Sequence, residues 1–266
     1  MNKRKKTIIE TVIIFIILIL IFIFGSVIDE QQLSINYEVI NNAPSFAYPF
    51  GTDWMGRNML FLVFKGVAVS MSIGMIASIL SVLLAFLIGT LSIFENNIID
   101  NAVSWLIDLV MGIPNILLLV LVSIALGKGM RGLIISMALT HWMSLARLVR
   151  SEVLQLKNRQ YIKISKSLGK SRGYIILHHI LPQIMAQLIV GWTLTFPHVI
   201  LHESAISFLG YGLPPEQPSI GVILAQSMNF LVSGCWWLAL FPGALLVLVV
   251  MLFDRVGKNL EKILAA

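Results

Sequence analysis

The sequence predicts an all-α membrane bundle of six transmembrane helices with both termini in the cytoplasm. Three observations lead there. The chain is 58% hydrophobic and only 12% charged, where a soluble domain would carry roughly 25% charged residues. Its apolar residues fall in runs that can cross a bilayer, for which about 20 residues suffice per helix. Its basic residues fall in blocks between those runs, the pattern of cytoplasmic loops.

The six runs cover roughly 7–28, 70–94, 102–127, 131–154, 183–209 and 231–253. The first follows MNKRKK. It is longer than the ~7–15-residue apolar core of a signal peptide and no A-x-A site follows, so it is expected to remain as an anchor helix. The fourth run is interrupted by His141, Arg147 and Arg150. With the N-terminus inside, fifteen of the nineteen Lys/Arg are cytoplasmic, and only Arg57, Lys65, Lys128 and Arg131 lie outside. An outer segment (29–69) precedes a five-helix core (70–260), and a Pro- and Gly-rich outer loop spans 210–229. There is no internal repeat and no linker, so residues 1–266 read as a single domain.

Composition excludes several classes. A net charge of +6 would suit nucleic acid only on the basic face of a soluble domain, and the chain has none. The single cysteine, Cys235 in SGCWWLALF, allows no internal disulfide and no Cys-based zinc site. It reads as a small buried hydrophobe.

The largest cytoplasmic segment, KNRQYIKISKSLGKSRGYIILHHILPQ (157–183), is also the most basic. Its GKS (169–171) ends like a phosphate-binding loop, but G-x-x-x-x-G-K-[ST] requires a glycine where Ile164 stands. The chain therefore lacks an ATPase site of its own and has no catalytic residues. Tyr161, Ile164, Leu168 and Ile175/Ile176 recur at helical spacing, opposite Lys and Ser. Gly169 should bend that helix, and a second helix from Ser171 should stop before Pro182. Two short amphipathic helices joined at a glycine either lie on anionic lipid or dock in a partner's groove.

Asp108 and Glu203 fall within apolar spans, where charges are rare and face a bundle interior or water. They either line a solute pathway or make interhelix hydrogen bonds. His198 and His202, spaced i, i+4 and next to Glu203, could touch a solute in transit. The H-E-x-x-H spacing is absent, so no resident metal is expected, and Pro197 should kink the span.

Several motifs together resemble the permeases of ABC importers. Their cytoplasmic E-A-A-x-x-x-G pattern falls on Lys163, Ile164, Ser165 and Gly169, with Leu168 before the glycine. The ending I-L-P falls on Ile180–Leu181–Pro182, preceded by His179. Other segments resemble the second permease subunit of dipeptide, oligopeptide and nickel importers. FGTDWMGRN is similar to L-G-T-D-x-x-G-R-D through Gly51, Thr52, Asp53, Gly56 and Arg57, with Asn58 in place of the last Asp. Asp108 and Pro114 resemble D-x5-P; Trp142, Ala146, Arg147 and Arg150 resemble W-x3-A-R-x-V-R; ESAISFLG (203–210) resembles E-A-x-L-S-F-L-G. Two arginines usual after the outer motif are missing.

The resemblance covers 48–260 and implies a function: moving di- or oligopeptides, nickel or a metal chelate across the cytoplasmic membrane. It implies a second, similar permease beside this one, an outer solute-binding protein, and two cytoplasmic ATPases that hold the ATP and Mg. It implies docking of those ATPases on the 163–182 residues, and a pathway near Asp108, His198, His202 and Glu203. The rival readings are a stand-alone channel or secondary transporter, which needs no docking loop, and an intramembrane enzyme. For the latter, Glu203 and Ser207 are the nearest pair, without a histidine base beside them.

Overall fold

The computed structural model describes residues 3–93 and 97–264. Its helices are α1 (Lys3–Val27), α2 (Met59–Thr90), α3 (Asn97–Met111), α4 (Asn115–Ala125), α5 (Met130–His141), α6 (Met143–Leu156), α7 (Gln160–Ser167), α8 (Arg172–Ile175), α9 (Leu181–Phe208), α10 (Ile220–Leu231) and α11 (Trp237–Leu264). A single π-turn, Ile176–Ile180, runs α8 into α9. Among the described residues four helices are long and apolar enough to cross a membrane, α1, α2, the α8–α9 run and α11; six crossings result if the bent pairs α3–α4 and α5–α6 each make one.

The two bends have different causes. α3 and α4 meet at 96°, where Gly112 ends one helix and Pro114 opens the next. The residue before a proline is driven out of the α region, and Pro114 can still accept from Leu118 N (3.1 Å). α5 and α6 meet at 40° without a proline or glycine. There Thr140 Oγ1 and His141 Nδ1 both reach the Met137 carbonyl, at 3.3 and 3.0 Å. Side chains inserted into the backbone ladder bend a helix.

The boundaries shift at two spans. α2 begins at Met59, not near 70, because the Asn58 side chain caps it by accepting from Leu60 N (3.0 Å). Lys65, which breaks the apolar run in sequence, is accommodated by donating to the Ile28 carbonyl (2.8 Å). The last span begins at Trp237, and the predicted outer loop contains α10, capped by Ser219.

Three apolar clusters hold the bundle. One joins α1, α2, α9, α10 and α11 around Leu18, Met71, Phe196 and Phe253. A second joins α3 and α6 to the cytoplasmic loop through Ile107, Val153, Ile162, Ile175, Ile180 and Ile184. The third lies under the outer loop, around Ile73, Leu119, Met137 and Ile206. Close contacts depend on small residues: a Cβ on Gly89 of α2 would lie 2.7 Å from Val149 of α6. Along α1, by contrast, Ile9, Val12, Ile16 and Leu20 are bare, as on a helix bathed in lipid.

Candidate functional site: the cytoplasmic loop and a cavity at the helix breaks

The 157–183 loop has the predicted corner at Gly169 but not the predicted stop before Pro182: the helix from Arg172 continues through the π-turn into α9, where Pro182 sits in the first turn. α7 ends at Ser167 with Leu168 as its cap, the chain turns at Gly169 with φ +76°, and Ser171 caps α8 by accepting from Tyr174 N (3.2 Å). That left-handed φ is costly for residues with a Cβ. The predicted apolar stripe divides in two. Ile162 and Ser165 face inward with Ile175 and Ile180, whereas Ile164 and Leu168 are 60% and 73% exposed. Tyr161 borders them and accepts from Gln183 Nε2 (2.7 Å). His179 meets Ser165 Oγ at 3.2 Å, tying α7 to the π-turn. Leu181 and Pro182 open α9. Lys163 and Lys166 of α7, with Lys157, Lys170 and Arg172, line a cavity of about 470 Å³ beside this ridge. No Asp or Glu occurs between Glu152 and Glu203.

Both helix breaks open onto a cavity of about 640 Å³. It is lined by Met111 to Asn115 from the first break, by Thr140, His141 and Ser144 from the second, and by Thr195, His198 and His202 of α9. His202 Nδ1 lies 2.9 Å from His141 Nε2. Two of the four membrane candidates, His198 and His202, are therefore brought together here. His141 and Asn115 join them, which the sequence reading did not single out: His141 served only as an interruption of a span, and nothing marked Asn115. Among the described residues no group of three His, Cys, Asp or Glu is placed to hold a metal.

The two carboxylates lie elsewhere. Asp108 is paired with Arg147 Nη2 at 2.5 Å, and both side chains are largely exposed. Glu203 is fully buried. It accepts from Ser70 Oγ of α2 (2.6 Å) and from Ser207 Oγ (2.9 Å) and Ser204 Oγ (3.4 Å) of its own helix. Ser70 Oγ in turn accepts from Ile220 N at the start of α10 (3.3 Å), and Ser207 Oγ accepts from Leu213 N (3.3 Å). Of the two readings of Glu203, this geometry is the interhelix hydrogen bond, and it anchors the outer loop.

The outer motif is a folded turn above α2. Asp53 is buried and accepts from Met55 N (2.9 Å), Arg57 N (2.8 Å) and Arg57 Nε (2.7 Å). The Thr52 hydroxyl donates to the Val39 carbonyl, and Thr52 O accepts from Trp237 Nε1 (3.2 Å). Gly56 passes so close to Asn36 that a Cβ would lie 1.7 Å from its carbonyl oxygen, and one on Gly51 would lie 2.7 Å from the Trp237 ring. These residues fix the outer segment onto α2 and α11.

A multi-span helical protein with broken helices, an open cavity with polar walls where they meet and a basic amphipathic loop has the build of a membrane transport component. The comparisons narrow the class. Residues 81–265 match the family model of the binding-protein-dependent transport system inner membrane component, and the chain belongs to that family. It is 33% identical over 221 residues to the dipeptide transport system permease protein DppC of Bacillus subtilis, covering 83% of this chain and 69% of that one. It is 31% identical over 260 residues to the oligopeptide transport system permease protein OppC of the same organism, covering 97% and 85%. Among solved structures, an inward-facing form of the methionine ABC transporter MetNI superposes with a TM-score of 0.58 at 18% identity, over 76% of this chain and 97% of that one. An amino acid ABC transporter gives a TM-score of 0.55 at 14% identity, over 76% and 93%. The protein is thus a multi-pass inner-membrane permease subunit of an ABC importer, a class that works with ATPase subunits, permease subunits and a binding protein.

Proposed function

We propose that this chain is one permease of a peptide importer, and that it converts the ATP cycle of cytoplasmic ATPases into access for di- or oligopeptides. The carrying observation is the α7–α8 loop. Its outer ridge of Tyr161, Ile164 and Leu168 is available to a partner, while its inner side is packed into the same cluster as α6 and α3. A push on the ridge would therefore reach α6 and α9 as a rigid-body displacement. The lysines around it favour a partner groove with an acidic rim. ATP and Mg would sit on the two ATPases, and this chain would hold neither. Both termini would face the cytoplasm, with the outer motif and the 210–229 loop toward the solute-binding protein. A second permease of similar fold would complete the pore. Peptide cargo is favoured over nickel or a metal chelate by the names of the relatives.

The test is uptake of labelled dipeptides and of labelled nickel in cells with and without the gene, together with gentle solubilisation of the native complex. Peptide uptake that depends on the gene, and ATPase chains that co-purify, are expected. Gene-dependent uptake of nickel alone overturns the cargo. A native complex without ATPases overturns the coupling role.

A further inference from the structure

We infer that the basic cavity beside the α7–α8 corner binds the phosphate of an anionic phospholipid; this is independent of the transported cargo. The cavity, of about 470 Å³, gathers Lys157 from the end of α6, Lys163 from α7 and Lys170 from the corner, with Lys166 and Arg172 beside them. No carboxylate is among its described lining residues. Like charges gathered in one concavity repel each other, and a bound anion relieves that repulsion. The donors for such an anion are present. Each lysine ammonium has three N–H groups. Lys157 spends one on Ser92 O at 3.4 Å, and Lys170 rests over the Tyr174 ring, 4.9 Å from its centroid. Ser171 Oγ lines the cavity and accepts from Tyr174 N (3.2 Å), which leaves its hydroxyl hydrogen to donate.

Three observations favour a lipid phosphate. First, the backbone at Gly169–Lys170 offers no cradle for a nucleotide: Gly169 N donates to Lys166 O (3.0 Å) and Lys170 N to Ser165 O (3.2 Å), whereas a phosphate-binding loop keeps such amides for its ligand. Second, Ile93 follows the end of α2 and Lys157 the end of α6. The cavity therefore opens where two membrane helices end, the level at which basic pockets take lipid headgroups. Buried Ile162 and Ile175 complete an apolar lining beside the charges. Third, the cavity and the docking ridge use different flanks of α7. At about 100° per residue, Lys163 and Lys166 lie about 100–160° around the helix from Tyr161, Ile164 and Leu168. A partner seated on the ridge can meet the edge of this basic flank and still leave the cavity open to lipid.

The test uses the assembled transporter in nanodiscs of phosphatidylcholine. These carry a trace of photoreactive phosphatidylglycerol or, in parallel, of photoreactive phosphatidylcholine, whose choline neutralises its phosphate. Crosslinked peptides are mapped after proteolysis. Phosphatidylglycerol should label residues 157–175 several-fold more than phosphatidylcholine does. Lys157→Gln and Lys170→Gln, compared as complexes of equal subunit composition, should each cut that labelling about fivefold, the share of one lysine near an anionic headgroup. Arg159→Gln removes an exposed cation of the same segment that does not line the cavity, and should leave the labelling unchanged. Equal labelling by the two lipids, or an equal drop in Arg159→Gln, overturns the site, because diffuse surface charge then accounts for the binding. Full protection by millimolar inorganic phosphate overturns the lipid and assigns the cavity to a soluble phosphate. Loss of ATPase subunits from Lys157→Gln and Lys170→Gln with lipid labelling intact also overturns it, and assigns these lysines to an acidic rim on the partner.

Discussion

Arg150 grips Asp100 through two hydrogen bonds, Nε to Oδ1 at 3.0 Å and Nη2 to Oδ2 at 2.7 Å. Ser92 Oγ adds a third to Oδ1 at 2.9 Å. The carboxylate thereby joins α6, α3 and the turn after α2, at the level where the cytoplasmic loop packs. One turn along α6, Arg147 meets Asp108 at 2.5 Å, but there the side chains are 52% and 69% exposed against 24% and 25% for the first pair. Forked pairs shielded from water are the strong ones, whereas exposed pairs are worth little. Arg150→Met should lower stability by about 1.5–3 kcal/mol, and Arg147→Met by less than about 1 kcal/mol. Thermal melts of the two variants in one detergent check the order; equal effects would remove Asp100–Arg150 as the brace.

Ile162 and Ile164 differ by two positions on α7 and face opposite ways, one 3% exposed and the other 60%. Ile164→Asp should leave the chain folded and inserted while cutting the amount of ATPase retained on purification. Ile162→Asp places a carboxylate among Ile175, Ile180 and Val153, and should instead reduce yield or melting temperature, as buried unpaired charges do. If Ile164→Asp retains the ATPases and uptake in full, the ridge is not their docking surface.

Gly169 turns the loop at φ +76° with open space around its Cα. Valine there meets no clash, so its effect is purely conformational, about 1–2 kcal/mol. That is too little to unfold the bundle, and enough to re-aim α8 relative to α7. Gly169→Val should insert normally yet hydrolyse ATP without matching uptake, while Gly169→Asn, which tolerates the left-handed region, should retain coupling. The ratio of transported peptide to hydrolysed ATP measures this directly. A normal ratio in the valine variant would remove Gly169 from the coupling path.

The corner at Gly169 and the helices beside it were legible because the signals are local: a glycine, a capping serine and apolar residues at helical spacing. The run of 102–127 reads as one span for the same reason, since its composition is uniformly apolar. Gly112 and Pro114 announce a kink, but its 96° size depends on packing. Leu119 of α4 is buried beside Leu133 of α5, and Ser123 Oγ donates to Tyr211 O of the outer loop at 3.0 Å. The cavity needed still longer-range information. His141 and His202 are 61 residues apart, and periodicity within one helix says nothing of which neighbour it will face. His198 and His202 were visible as an i, i+4 pair; their partners were not.

Glu203 is the case where two roles separate by experiment. Its carboxylate accepts from Ser70, Ser204 and Ser207, and two of those hydroxyls hold backbone N–H groups of the outer loop and α10. Glu203→Ala would strip the acceptor from the whole chain, orphaning buried hydroxyls at about 1–3 kcal/mol each. Glu203→Gln keeps one acceptor oxygen and adds an amide that must face a hydroxyl already engaged, so it should fall between wild type and alanine. Ser70→Ala, which removes only the link to α2 and Ile220 N, should also destabilise, and less than Glu203→Ala because the two act as one network. A pore-lining carboxylate predicts the opposite pattern: uptake lost in Glu203→Gln with melting unchanged, and no effect of Ser70→Ala. Melting temperature and uptake, measured on the same three variants, decide between a brace under the outer loop and a contact for the solute.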